Sequence, residues 1–99
     1  MSTIKVYEVI GKNAISMKSG DKIYQLIIEN INKKEKTILD FEEVDLFASP
    51  FFNTAIGHLL KDMELHELQD QLKFENLDGI GKDLLNLVIS NALNFYKKG

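Results

Sequence analysis

The 99 residues have the length of one domain, carry a formal net charge of −3 and include no cysteine. The missing cysteines exclude disulfides, zinc–thiolate sites and thiol catalysis. The lysines within 33–36 are interrupted by Glu35, and Lys97 and Lys98 lie at the C-terminal end, so neither group forms the basic stripe of a nucleic-acid-binding protein. With no apolar run of membrane-spanning length and no signal-peptide pattern, we expect one cytoplasmic domain over residues 1–99.

The first half of the chain predicts two strands, a helix and a third strand. Residues 3–10 are β-branched and aromatic and predict a strand, and residues 14–17 beyond a glycine turn favour a return strand that completes a hairpin. Apolar residues at helical spacing then predict a helix capped by Ser19 and ending at 32–34. The apolar run at 37–41 is typical of a central strand that is buried on both faces.

The second half predicts two helices separated by a strand. Ser49 is a favourable N-cap, and Pro50 suits the first helical position because its missing N–H costs nothing there. Residues 71–75 alternate with period two, which predicts an edge strand. Asp78 can cap a final helix from about Gly79 to Lys97. The apolar stripe of this helix is wider than one packing face needs, so either a second element of the fold or a homodimer covers the surplus.

The predicted order is therefore β-β-α-β-α-β-α. Strands separated by helices favour a mainly parallel sheet with right-handed crossovers, and the leading hairpin adds an antiparallel pair. The predicted fold class is α/β, with a single-layer mixed sheet and helices packed against it.

The sequence contains no recognisable catalytic motif. Gly79-Ile80-Gly81 follows a strand and opens a helix, as a dinucleotide fingerprint does, but Leu84 stands where the third glycine belongs. The free N–H groups of the Gly79–Lys82 turn leave a nucleotide or anion site open as an alternative. His58 and His66 are eight residues apart and predict no metal site. Nothing predicts a cofactor.

The candidate site is the segment from Asp40 to Asn53. It places a charged loop, and then Phe47-Ala48-Ser49-Pro50-Phe51-Phe52, at a helix N-terminus. A serine there can act as an N-cap. The partial positive charge of a helix start also stabilises a phosphate, so Ser49 is equally suited to a phosphorylation switch.

At these residues the chain resembles a known family. Ile38-Leu39-Asp40-Phe41, followed by Val44 and a serine-started helix, is similar to the core of STAS domains (sulfate transporter and anti-sigma factor antagonist). The helix Ser49–Gly57 most resembles the STAS-like family of unknown function found in bacteria. The similarity extends to Glu75-Asn76-Leu77 and the long closing helix, and it covers most of the chain.

The resemblance implies a mixed sheet with packed helices and a regulatory module, not an enzyme, that binds a partner protein. The binding surface would comprise the loop before Ser49 and the first turns of the helix. Its expected residues are Asp45, Phe47, Ser49, Pro50, Phe51 and Asn53. Phe47 and Phe51 would be its apolar anchors, because aromatic side chains dominate interface energetics.

The resemblance also bears on phosphorylation and on the partner. In anti-sigma antagonists the phosphate is carried by the second serine of an Asp-Ser-Ser-Gly run, and that position corresponds here to Pro50, which cannot be phosphorylated. Ser49 matches the first serine and is the remaining candidate. STAS-like domains accompany histidine-kinase-type ATPases, so an ATPase of this type is the expected partner. Neither nucleic acid nor a membrane is expected to bind.

Overall fold

The computed structural model describes residues 1–97, so Lys98 of the terminal lysine pair lies outside the described residues. Within this range the chain forms five strands, five α-helices and one 3₁₀ helix. In order they are β1 (Ser2–Lys5), α1 (Val6–Ile10), β2 (Asn13–Ala14), α2 (Met17–Asn32), β3 (Thr37–Asp40), β4 (Leu46–Phe47), α3 (Ser49–Ala55), a 3₁₀ helix (Gly57–Lys61), α4 (Leu65–Gln71), β5 (Leu72–Glu75) and α5 (Gly79–Tyr96).

Strands β1, β3 and β5 form a parallel sheet with β3 in the centre. Ser2 pairs with Thr37, and Thr37 with Leu72, so corresponding residues of the three strands lie in rows across the sheet. The α/β class with parallel sheets and packed helices is confirmed, and β3 is central and β5 lies at an edge as predicted. Every strand pair among the described residues is parallel, so the antiparallel pair expected of a mixed sheet is not found there.

Helices cover only one face of this sheet. Ile4 and Leu39 point to the helices and are buried, whereas the opposite face carries exposed or half-buried side chains. That open face consists of two rows, Thr3–Ile38–Lys73 and Lys5–Asp40–Glu75. Each successive strand of this sheet is added on the same side of the one before it. Because the crossover connections between parallel strands are right-handed, all the connecting helices then lie on one face of the sheet. The expectation that β3 is buried on both faces is therefore wrong.

The predicted N-terminal hairpin is also wrong. The strand ends at Lys5, and the next five residues form α1. Val6, Val9 and Ile10 pack against the core, and their spacing of three and four residues fits a helix face as well as their β-branching fits a strand. The return segment forms β2, which pairs in parallel with β4 in a separate two-stranded sheet.

Helix starts differ from the predicted caps. Helix α2 begins one turn earlier than expected, because the Ser16 hydroxyl accepts a hydrogen bond of 3.0 Å from the N–H of Ser19. Helix α5 begins at Gly79 as predicted, although the side chain of Asp78 makes no capping hydrogen bond. The sequence interpretation missed α4 altogether, a helix that a capping box at Glu64 and Glu67 initiates.

The buried side chains form one cluster between the covered sheet face and the helices. Phe41, Phe51 and Phe52 are its largest members, and all three are almost fully buried. Within it, Asn30 donates a 2.8 Å hydrogen bond to the hydroxyl of Thr37, so this buried polar pair is satisfied. No helix among residues 1–97 is long and apolar enough to cross a bilayer.

Candidate docking surface

The segment Asp45–Asn53 is fixed by backbone hydrogen bonds before its helix begins. The N–H of Asp45 donates to the carbonyl oxygen of Lys12 over 2.8 Å, and the N–H of Ala48 donates to that of Ala14 over 3.0 Å. Between these two bonds, β4 lies in register with β2. The start of the segment is therefore held as a strand and not as an unrestrained loop.

Helix α3 begins one residue earlier than the N-cap prediction requires. Ala48 is the N-cap, in extended conformation, because its N–H is already committed to β2. Ser49 is consequently the first helical residue, and its hydroxyl makes no capping bond. Pro50 falls at the second helical position, where the missing N–H again costs nothing. The prediction of Ser49 as N-cap is wrong by one position.

Four phenylalanines lock the segment onto the core. Phe47 stacks on Phe52 with 6.0 Å between ring centroids and 8° between ring planes, and Phe51 meets Phe52 edge-on at 5.2 Å. Phe41 contacts the other three rings at 6.1–6.4 Å. Offset and edge-to-face contacts of this kind add to the burial energy of the rings.

Packing in the aromatic cluster determines which of the predicted residues are exposed and can contact a partner. Phe51 is 0% exposed, so its expected role as a docking anchor is wrong, and Phe47 is half-buried within the cluster. Ser49 is also half-buried. The remaining three expected residues, Asp45, Pro50 and Asn53, are exposed.

Exposed apolar residues that the sequence interpretation did not include lie on the elements that pair with or pack against this segment, namely β2, α2 and the start of α5. Leu46 is 55% exposed, because successive strand residues point to opposite sides and Phe47 takes the inner one. Ile15 follows the β2 residue that pairs with Phe47, and Met17 opens α2; both are exposed. Ile80 is 72% exposed. We define the candidate surface as the exposed or half-buried residues Asp45, Leu46, Ser49, Pro50 and Asn53 together with Ile15, Met17 and Ile80.

The first turn of α5, which contains Ile80, packs closely on β4. A Cβ at Gly81 would lie 3.1 Å from the Cζ atom of Phe47 and 2.7 Å from a methyl group of Leu77, so the start of α5 rests directly on β4. Gly79 has φ +58°, which favours glycine. Both glycines of the predicted nucleotide-type turn thus have a structural role. Lys82 lies elsewhere, in a groove between α4 and α5.

Asp40, at the beginning of the candidate segment, is held in structural contacts. Its carboxylate accepts hydrogen bonds from the Asn76 side chain (2.8 Å) and the N–H of Glu42 (3.0 Å). These bonds and the nearby charge of Lys5 hold the pKa of Asp40 below its ordinary value. The carboxylate ties β3 to the loop after β5. Within residues 1–97, no three potential metal-ligating side chains of His, Cys, Asp or Glu are grouped to hold an ion.

A family model described as a STAS-like domain of unknown function (DUF4325) matches residues 19–82. The chain belongs to this family. Comparisons with curated proteins and with solved structures give no match. The resemblance that the sequence suggested is therefore confirmed.

The match covers most of the candidate surface, namely the segment from Asp45 to Asn53 and Ile80. It runs from α2 to the first turn of α5 and includes all of β3, β4 and α3. In this STAS-like domain the segment from Asp45 to Asn53 is thus part of the family fold, whereas β1, α1 and β2 precede the match. Ile15 and Met17, which complete the surface, lie in that preceding part.

Proposed function

We propose that this STAS-like domain is a non-enzymatic regulatory module that docks on a partner protein through the candidate surface. The observation that carries the proposal is the exposure of Leu46 and Ile80 beside a segment fixed by the four phenylalanines. Binding there requires little ordering of the chain, so more of the contact energy remains as affinity. Leu46 takes the anchor role that the sequence assigned to Phe51.

The proposed partner is an ATPase of the histidine-kinase type, as the family resemblance suggests. Asp45 adds a negative charge next to the exposed leucine, and Asn53, exposed on α3 with Pro50, adds a polar side chain. An apolar centre with a polar rim is the usual anatomy of a protein interface. The partner surface should therefore be an apolar pocket with a basic or amide edge.

Leu46→Asp is expected to weaken partner binding at least about thirtyfold, the effect of losing an interface hot spot. The tagged chain and its variant are used as baits in lysate of the source cells, with and without ATP, and bound proteins are identified by mass spectrometry. The affinity of each identified partner is then measured with purified proteins.

The matched control is Leu87→Asp on α5. Leu87 is 53% exposed, against 55% for Leu46, so both changes place the same charge on an equally exposed leucine. The proposal is supported only by a partner that binds the wild type and Leu87→Asp but not Leu46→Asp. The Tm of Leu46→Asp must also equal that of the wild type. Partners lost equally by both variants would refute it.

A second candidate function is a phosphorylation switch at Ser49. The observation that favours it is the position of Ser49, which is not the N-cap residue and lies half-buried in the first turn of α3. Intact-mass analysis of the protein purified from its native cells should show a phosphate that Ser49→Ala removes. A mass that stays unmodified across growth conditions would count against the switch. The nucleotide alternative gains no such support, because packing already accounts for Gly81.

A further inference from the structure

Strand β5 forms an open edge of the sheet. Among the described residues it pairs with β3 on one side and with no strand on the other. Edge strands present unpaired backbone groups to any chain that can align with them, and proteins usually block such edges.

Phe74 directs both of its backbone polar groups outward from this edge. The carbonyl oxygen of Glu75 accepts a hydrogen bond from the N–H of Phe41, at the end of β3, so Glu75 directs its backbone groups inward. Successive strand residues alternate in this direction, and therefore the N–H and carbonyl of Phe74 point away from the sheet. The N–H of Leu72, which would also point outward, is already bonded to Leu68 in the last turn of α4.

An apolar groove runs beside this edge on the helical side of the sheet. It has a volume of about 550 Å³ and lies between α4 and α5. Its apolar lining includes Leu65, Leu68, Leu77, Leu85 and Ile89. A strand added to β5 would direct every second side chain into this groove, as in strand-addition complexes.

The charges on β5 are self-complementary. Lys73 and Glu75 flank Phe74 and both point to the open face of the sheet, where they are exposed. If two copies of β5 run antiparallel with Phe74 opposite Phe74, each Lys73 lies directly opposite the Glu75 of the other copy. The same register makes the two Phe74 residues a hydrogen-bonded pair that exchanges both backbone bonds.

We propose that this edge is a self-association surface and that its occupant is a second copy of this chain. Two β5 strands pair antiparallel about a two-fold axis perpendicular to the sheet, and the three strands of each copy join into one six-stranded sheet. Both helical layers then lie on the same side. The two Phe74 rings meet over the grooves, and two Lys73–Glu75 pairs close the open face. This surface is separate from the candidate docking surface.

A concentration series in sedimentation velocity tests the dimer, starting from the 11.3 kDa monomer. The wild type should dimerise with a Kd between about 10 μM and 1 mM, because an edge strand of this length makes a small interface. Lys73→Glu and Glu75→Lys each place like charges opposite one another twice, and each should raise the Kd about tenfold or more. The double variant restores both pairs with reversed sign and should return the Kd to within about threefold of wild type.

Lys22→Glu is the control for net charge, since Lys22 is exposed on α2 and its reversal changes the charge as much as Lys73→Glu does. Hydrogen exchange localises the contact: the amide of Phe74 should gain protection as the protein concentration rises. A wild type that stays monomeric at 1 mM would overturn the proposal. So would a double variant as weak as the single variants, or a dimer that leaves the Phe74 amide unprotected.

Discussion

Phe51→Asp is expected to unfold the domain. Phe51 is fully buried and contacts both Phe41 and Phe52, so the change removes an aromatic ring from the core and places an unpaired carboxylate in its position. Losing the ring alone costs about 3–5 kcal/mol, and the buried charge adds to that loss. The sum is comparable with the whole stability of a domain, about 5–15 kcal/mol. Far-ultraviolet circular dichroism and urea denaturation measure the effect.

Asn53→Asp supplies the control on the same helix. Asn53 is exposed, so the new charge stays in water and the free energy of unfolding should change by no more than about 0.5 kcal/mol. A Phe51→Asp protein that unfolds cooperatively near the wild-type Tm would contradict the buried placement of the ring. It would also reinstate Phe51 as a binding residue, the role that the sequence interpretation gave it.

The second large effect is expected at Gly20, where α2 crosses α3. A Cβ there would lie 2.5 Å from the carbonyl oxygen of Phe51 and 2.9 Å from the Cβ of Thr54. Because backbone cannot rotate away, the two helices must move apart. Gly20→Ala should therefore destabilise the domain by about 2–3 kcal/mol, although alanine normally stabilises a helix interior by about 1 kcal/mol relative to glycine. The Tm should fall by roughly 10–20 °C.

Gly81→Ala is the comparison for this prediction. Gly81 is also a buried helical glycine, but the atom that a Cβ would meet within 3.0 Å is a terminal methyl group of Leu77, which can rotate away, and the Phe47 ring at 3.1 Å would have to move by only a few tenths of an ångström. Gly81→Ala should therefore lower the Tm by less than Gly20→Ala does in the same thermal scans. If Gly20→Ala matches or exceeds the wild-type Tm, the close crossing of α2 and α3 is incorrect.

The sequence correctly predicts those elements whose apolar residues recur with a single period, that of a strand or that of a helix. The apolar run at 37–40 and the alternation at 72–75 give β3 and β5 their central and edge positions. The stretch from Val6 to Ile10 fits two periods at once, and only its packing on the core decides for the helix. Helix α4 is missed because its pattern is mostly polar, although Glu64 and Glu67 form a readable capping box.

The candidate site is predicted in position but not in its contact residues. The apolar residues from Phe52 to Met63 recur at helical spacing and predict one continuous helix over residues 49–63, on which Phe51 lies near the polar face. Instead α3 ends at Ala55, a 3₁₀ helix follows, and α2 covers the side that carries Phe51 and Thr54. Both sides of α3 are thus buried, a fact that depends on a helix thirty residues away in the chain. The exposure of Leu46 could have been inferred from strand alternation with Phe47.

The parallel pairing of β1, β3 and β5 also limits the order in which parts of the chain can fold. Ser2 pairs with Thr37 and Thr37 with Leu72, so each row of the central sheet joins residues separated by thirty-five positions. No hairpin can nucleate this sheet, since a parallel pair needs a long crossover, and the entropy of closing each loop is lost before any strand contact is gained. Native topology of this kind slows folding. Local structure can form early only in the helices, of which α2 and α5 are the longest, and the three strands then assemble against them.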